Sequence, residues 1–188
     1  MKPIRVDDMP AQPWKDGGGT TRELVAWPRR DDWQVRVSVA DIAADGPFSA
    51  YRGVTRWFAV LEGVGVELRV GDVAHRLTRN AAPFVFDGGE PASCRLIDGP
   101  TRDLNLMLRG ADGRLELAED RLGWQPRARF AGLFAAVSGE CVVGTTRVGV
   151  GPYSLLWFDP APKSLTFTAG ARPAGTTGWW IAATPDES

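Results

Sequence analysis

The 188-residue chain carries 22 basic and 23 acidic residues, a formal net charge of -1. It has no basic excess to neutralise a phosphate backbone, which excludes nucleic acid as a main partner. Its length suits one large domain or two small fused ones with a real core, and its apolar runs are far too short for a bilayer-spanning helix.

In chain order, the opening MKPIRVDDMP lacks the apolar run of a secretory signal, so the expectation is a cytoplasmic protein. Cys94 and Cys141 lie far apart in apolar surroundings, which predicts two reduced, buried thiols, with a disulfide the minor reading. Twenty-two glycines and 14 prolines punctuate the chain every few residues, and β-branched runs stand between them, a pattern that reads as all-β. WKDGGGTTREL (14 to 24) has neither the spacing of a P-loop nor that of a dinucleotide fingerprint, and LVAWP after it is strand-like and stops at Pro28. Its plain reading is a tight turn into an edge strand. Its sharper reading is a bare backbone that lets another group approach closely, with Thr20, Thr21, Arg22 and Glu23 supplying polar contacts.

WQVRVSVA (33 to 40) alternates cleanly, with Trp33, Val35, Val37 and Val39 on one face and Gln34, Arg36, Ser38 and Ala40 on the other. GPFSAYRGVTR (46 to 56), with Phe48 near its start, is a loop running into the mostly apolar strand TRWFAVLEG (55 to 63). VELRVGDVAHRL (66 to 77) is a hairpin turning near Gly71 and Asp72, and three strands ended by glycine follow it. In the last of these, RDLNLMLR, the residues Asp103, Asn105, Met107 and Arg109 share one face and Leu104, Leu106 and Leu108 the other. LELAEDRL (115 to 122) has room for two helical turns.

FAVLEG (58 to 63) is echoed by FAAVSG (134 to 139), FVFDGGEPAS (84 to 93) by LLWFDPAPKS (155 to 164), and DLNLML (103 to 108) falls opposite WWIAAT (179 to 184), at offsets between 70 and 76 residues. This hints at two similar β-barrels, 1–110 and 111–188. The strand rhythm resembles a cupin, a jelly-roll cup that usually holds a metal or small ligand. Cupin metal sites need several histidines with a glutamate, and the single histidine, His75, sits at a hairpin edge. A metal-free, cofactor-free protein is expected, with His75 structural or solvent-facing. The same shortage argues against Ser-His-Asp and Cys-His catalysis.

WKDGGGTTREL, WQVRVSVADI, GPFSAYRGVTRWFAVLEG and GPTRDLNLML stand in the order and spacing of the HutD family, also called Ves, and the resemblance covers roughly residues 10 to 110. Asp16 departs from it, standing where the family usually has asparagine. The resemblance implies a bicupin, a link to histidine utilisation, no settled enzymatic activity, and a role in sensing or limiting a pathway intermediate.

On these grounds the candidate ligand-binding set is Arg56, Asn105, Asp103, Arg36, Ser38, Thr21, Arg22, Glu23 and Phe48. Arg56 reads either as an ion-pair residue at a barrel rim or as a two-pronged carboxylate anchor, and the resemblance favours the anchor. Asn105 both donates and accepts, which suits an amide or formyl group, and the polar face it shares faces either solvent or a cup. Glu23 and Asp103 are also candidates to neutralise Arg22, Arg36 or Arg56. With an offset of 76, Arg56 falls opposite Gly132, Asp103 opposite Trp179 and Asn105 opposite Ile181, so the site is expected in the first half. Tryptophans 157, 179 and 180 then belong to a core or an interface.

The leading expectation is a cytoplasmic protein that binds a small carboxylate metabolite resembling urocanate or formylglutamate and modulates histidine catabolism, with a homodimer possible. One rival is a metal-independent enzyme using Asp103 or Glu23 as general base. The other is an interaction module that docks a partner through its aromatic second half.

Overall fold

The computed structural model describes residues 2–170 and 175–186. It divides into two compact units, Met9–Gly110 and a second made of Met1–Asp8 with Ala111–Ser188. The opening residues therefore belong with the second unit, against the expectation that they begin the first. The cause is β1 (Ile4–Arg5), which pairs antiparallel with Leu155 and Ser154. A two-residue strand is too short to leave a sequence pattern of its own.

The Met9–Gly110 unit contains β2 (Gln12–Pro13), β3 (Gly19–Arg29), β4 (Asp32–Ile42), β5 (Gly46–Pro47), β6 (Val54–Glu62), β7 (Gly65–Val70), β8 (Val73–Thr78), β9 (Phe84–Asp87), β10 (Ala92–Leu96) and β11 (Thr101–Arg109). The second unit contains β12 (Ala111–Leu117), β13 (Gly123–Trp124), β14 (Phe130–Ala135), β15 (Gly139–Val143), β16 (Thr146–Val150), β17 (Ser154–Phe158), β18 (Leu165–Ala169) and β19 (Gly178–Pro185). Among the described residues the one helical element is a short turn over Val6–Asp8, and no helix is long and apolar enough to cross a membrane.

The first unit packs a six-stranded sheet, in the order β2-β3-β4-β11-β6-β9, against a four-stranded sheet, β5-β10-β7-β8. Phe58, Val60 and Phe86 of the larger sheet share one core with Val66, Leu68 and Cys94 of the smaller. The second unit repeats the plan, with β1-β17-β14-β19-β12 against β13-β18-β15-β16. Strands β4 to β11 correspond in order and adjacency to β12 to β19. The chain is two jelly-roll barrels built on one pattern, as the internal echoes suggest.

The strand register corrects the detail of that echo. Arg56 pairs with Met107 and Phe86, as Ala131 pairs with Ala182 and Phe158. Asn105 pairs with Phe58, as Trp180 pairs with Leu133. The true equivalents of Arg56 and Asn105 are therefore Ala131 and Trp180, one residue short of the offset read from sequence. A slip of one residue exchanges the faces of a strand. Leu133, Ala131 and Trp180 point into the second barrel's core with Cys141 and Phe167, whereas Gly132, Trp179 and Ile181 project from the opposite face. At these two positions the second copy has lost the guanidinium and carries an indole in place of the amide, while Arg114, paired with Ala182, and Glu116, paired with Trp180, stand where Arg36 and Ser38 stand in the first.

LELAEDRL is not helical. Its first residues belong to β12, where Leu115 pairs with Ile181 and is buried, so sheet pairing overrides local helix preference. Pro28 does not end its strand either. It lies at a shift of register in β3, which runs on to Arg29, a place where a missing N–H is tolerated. Both cysteines are free and buried, and burial pushes each thiol up to about 12, with Asp103 adding to the effect at Cys94.

Candidate functional site

The glycine run does two things. Gly17 turns the chain with a φ of +75°, donating its N–H to the Trp14 carbonyl. Gly19 lets β3 and β4 close up, since a Cβ there would stand 2.5 Å from the Asp41 carbonyl oxygen and 3.2 Å from the Trp14 ring. The group that approaches the bare backbone thus comes from the protein itself. The Trp14 indole so placed donates to the Thr21 hydroxyl at 2.8 Å and packs edge-on to Phe48 at 6.2 Å.

Trp14, Thr21 and Phe48 form part of the wall of a cavity of about 570 Å³ in the first barrel. Arg36, Ser38, Arg56 and Asn105 complete the predicted residues on that wall, together with Tyr51, Phe58 and Met107. Because β4, β11 and β6 are neighbours, their cavity-facing side chains fall into rows. Arg36, Met107 and Arg56 form one row, Ser38, Asn105 and Phe58 the next, and Ala40, Asp103 and Val60 a third. On the polar face of RDLNLMLR, Asn105 and Met107 therefore line a cup and do not face solvent, being 6% and 3% exposed, while Asp103 is 0% exposed and Arg109, at the strand's end, is exposed.

Arg56 is not a rim residue. It is 7% exposed, and its guanidinium carbon lies 5.1 Å from the Phe48 ring centre, 5.7 Å from Tyr51 and 5.0 Å from Phe86. Its protein partner is the Ser49 carbonyl, at 3.4 Å from Nη1, and its Nε is buried without a partner. Among the described residues no carboxylate pairs with it. Burial lowers the guanidinium pKa to about 10, with Tyr51 opposing the shift and the Arg36 cation adding to it. The group is still a cation at neutral pH.

Arg36 differs. Its Nε donates to Glu23 Oε2 at 2.8 Å, and its Nη1 reaches Met107 Sδ at 3.8 Å. Glu23, 7% exposed, also accepts from Arg30 Nε at 2.7 Å. Glu23 thus neutralises Arg36 and holds it without itself lining the cavity. Arg22 is also absent from the cavity wall: it pairs with Asp41, which accepts as well from Arg102 at 2.6 Å. Burial works against the Asp41 carboxylate, but these two guanidiniums hold its pKa below the ordinary value.

Asp103 is not on the cavity wall. Its Oδ2 accepts from the Thr101 hydroxyl at 2.9 Å, and its Oδ1 is buried without a partner. Burial raises its pKa well above the ordinary value, the Thr101 hydroxyl opposing and Asp41 adding. Folding therefore favours the neutral acid relative to the unfolded chain, and stability present below the ordinary carboxylate value is lost as pH rises through the raised folded value. Asp103→Asn is expected to be more stable than wild type near pH 8, with the difference shrinking as pH falls towards 5. Urea melts across that range test it, and a variant less stable throughout would show that Asp103 is held as a carboxylate. Neither carboxyl considered as a general base, Asp103 or Glu23, lines the cavity.

Among the described residues no group of three or more histidine, cysteine, aspartate or glutamate side chains is placed to hold a metal. His75 is half-buried and packs on Phe84, with ring centres 4.2 Å apart. Sequence reasoning missed Tyr51 and Trp14, although both stand in stretches that it singled out. Aromatic residues read as core unless their strand or loop is known to face a cavity.

A model of the HutD family matches residues 6–170. The chain is 34% identical over 141 residues to Protein Ves of Cronobacter sakazakii, covering 74% of this chain and 77% of that protein. It is 38% identical over 106 residues to an uncharacterised 21.2 kDa protein in the hutC 3' region of Pseudomonas putida, covering 55% of this chain and 56% of the relative, so the match spans little more than half of that protein. The solved structure of HutD from Pseudomonas fluorescens SBW25, in a formate condition, matches with a TM-score of 0.83 and 28% identity, covering 97% of each chain. The barrel plan is that of the cupins: a Bacillus subtilis oxalate decarboxylase covers 100% of this chain, and 78% of its own, with a TM-score of 0.66 at 8% identity, a likeness of fold alone. The two barrels make a bicupin.

Proposed function

We propose that this chain, which belongs to the HutD family, binds a small carboxylate metabolite in its first barrel and through that binding modulates histidine catabolism in the cytoplasm. One observation carries the binding: Arg56 is a buried cation with no carboxylate partner among the described residues and an unpartnered Nε, beside a cavity large enough for a metabolite. A buried charge without a counter-ion is costly, and a ligand carboxylate supplies the missing partner through two parallel hydrogen bonds. Asn105 and Ser38 offer neutral hydrogen-bonding groups on the same wall. The link to histidine utilisation rests on the names of two relatives, the Pseudomonas putida protein beside hutC and the Pseudomonas fluorescens HutD. Urocanate- and formylglutamate-like compounds carry the required carboxylate and polar groups.

The test is a thermal-shift screen of histidine-pathway intermediates and simple carboxylates, followed by titration of the hits. A ligand that binds only the folded chain, present at a hundred times its dissociation constant, is expected to add about 2.7 kcal/mol of stability. That should raise the melting temperature by roughly 5 to 10 °C for a chain of this size. If no carboxylate shifts the melt or gives a binding isotherm, the reading fails.

A further inference from the structure

The rows on the cavity wall narrow the ligand class, on the premise that the cavity takes a carboxylate. We infer that it selects a monocarboxylate carrying a neutral hydrogen-bonding group one pleat repeat away, with the anion at the row of Arg36, Met107 and Arg56 and the neutral group at the row of Ser38, Asn105 and Phe58.

The spacing comes from the strands. Side chains on one face of a strand recur every second residue, so adjacent rows stand about 6.8 Å apart along the strand direction. The charge pattern sets the order of the groups. Arg56 is the lining cation that lacks a counter-ion inside the barrel, because Arg36 is matched by Glu23 at 2.8 Å. Lys15 also lines the cavity, but it is exposed on the open side beside Asp16. The Asn105 row carries no charge. Its amide offers one acceptor and a donor pair, and Ser38 adds a hydroxyl. An amide, lactam or neutral azole on the ligand satisfies both kinds of group. A second carboxylate at that row meets no cation and has the buried carboxyl of Asp103 in the following row, so its desolvation is not offset. The site therefore discriminates against dicarboxylates of the same length, and of the two compound types named above it favours the urocanate-like one, a monocarboxylate with a neutral azole, over formylglutamate, which carries two carboxylates.

The experiment titrates the full chain with linear monocarboxylates that end in a carbamoyl group and differ in methylene number. Methyl-ended acids and dicarboxylates of matched length serve as controls. Affinity is expected to peak near about four methylenes, where the two carbonyl carbons of an extended chain are about one pleat repeat apart. At the peak the carbamoyl compound should bind about tenfold more tightly than its methyl-ended match and more tightly than the dicarboxylate. Asn105→Ala is expected to bring the carbamoyl-to-methyl ratio towards one. Ser38→Ala, a smaller change, should reduce the ratio in part and keeps the test open if Asn105→Ala fails to fold. Affinity that simply rises with chain length, a dicarboxylate optimum, or a ratio unchanged in both variants overturns the inference while leaving carboxylate binding intact. Absence of binding by every compound overturns the carboxylate reading and this inference with it.

Discussion

Arg56→Ala is expected to lower the affinity for a small carboxylate about ten- to a hundredfold, since bonds to a charged group contribute roughly 1.5 to 3 kcal/mol. Arg56→Lys should recover only part, because an ammonium keeps the charge but loses the fork. With the guanidinium pKa lowered to about 10, affinity in wild type is expected to hold through neutral pH and weaken as pH rises past that value. The ligand-free fold should not suffer. Arg56 is buried among Phe48, Tyr51 and Phe86 without a counter-ion, and such a charge opposes folding. Arg56→Met, of similar volume, is expected to melt at or above wild type in the absence of ligand. Isothermal titration beside melting curves is the measurement. Equal affinities in all variants would remove Arg56 from the site, and a melting temperature that collapses in both Arg56→Ala and Arg56→Met would mark it as structural.

In the second barrel the largest effect is expected on stability. Trp180, 2% exposed, occupies the position that Asn105 holds in the first barrel. Its indole stacks on Trp124 with centres 4.9 Å apart and planes 5° from parallel, within a core that includes Leu133, Cys141 and Phe167. Trp180→Ala leaves a void where the first barrel has a cavity, and should cost about 3 to 5 kcal/mol, roughly 10 °C in melting temperature. Trp180→Phe should recover part of that loss. Calorimetry with near-ultraviolet circular dichroism reads both the stability and the indole pair. A loss under about 1 kcal/mol would mean that the barrel relaxes around the gap, and that filling it is not what keeps the second copy closed.

Much of this was legible in the sequence because period-two alternation reports a face directly. WQVRVSVA and RDLNLMLR each declare two faces, and the folded chain uses both: valines and leucines buried on one side, Arg36, Ser38 and Asn105 on the cavity wall on the other. What alternation cannot report is which strand stands beside which, or in what register. That is why Glu23, Arg22 and Asp103 were grouped with the site. Glu23 stands behind Arg36, Arg22 faces Asp41, and Asp103, though paired with the cavity-lining Ala40, is buried off the cavity wall. The same ignorance of register turned the echo between the halves by one residue and so exchanged Trp180 for Trp179. The sequence alone leaves Arg56 between a rim ion pair and a carboxylate anchor, because it stands near the start of its strand. Only the loop carrying Phe48 and Tyr51, folded back over it, makes it interior, and loop paths leave no periodic trace.

The pairing of Ile4 and Arg5 with Leu155 and Ser154 also bears on synthesis. Those first residues leave the ribosome early, yet their partners follow about 150 residues later, a closure whose entropic cost grows only slowly with length. Until then the segment must wait, unpaired, while the barrel of Met9–Gly110 has every strand it needs. Maturation is accordingly staggered: every strand of the half that carries the cavity has emerged before β12 is made, and the sheet behind the stacked indoles is complete only when β17 and β19 have followed their edge partner β1.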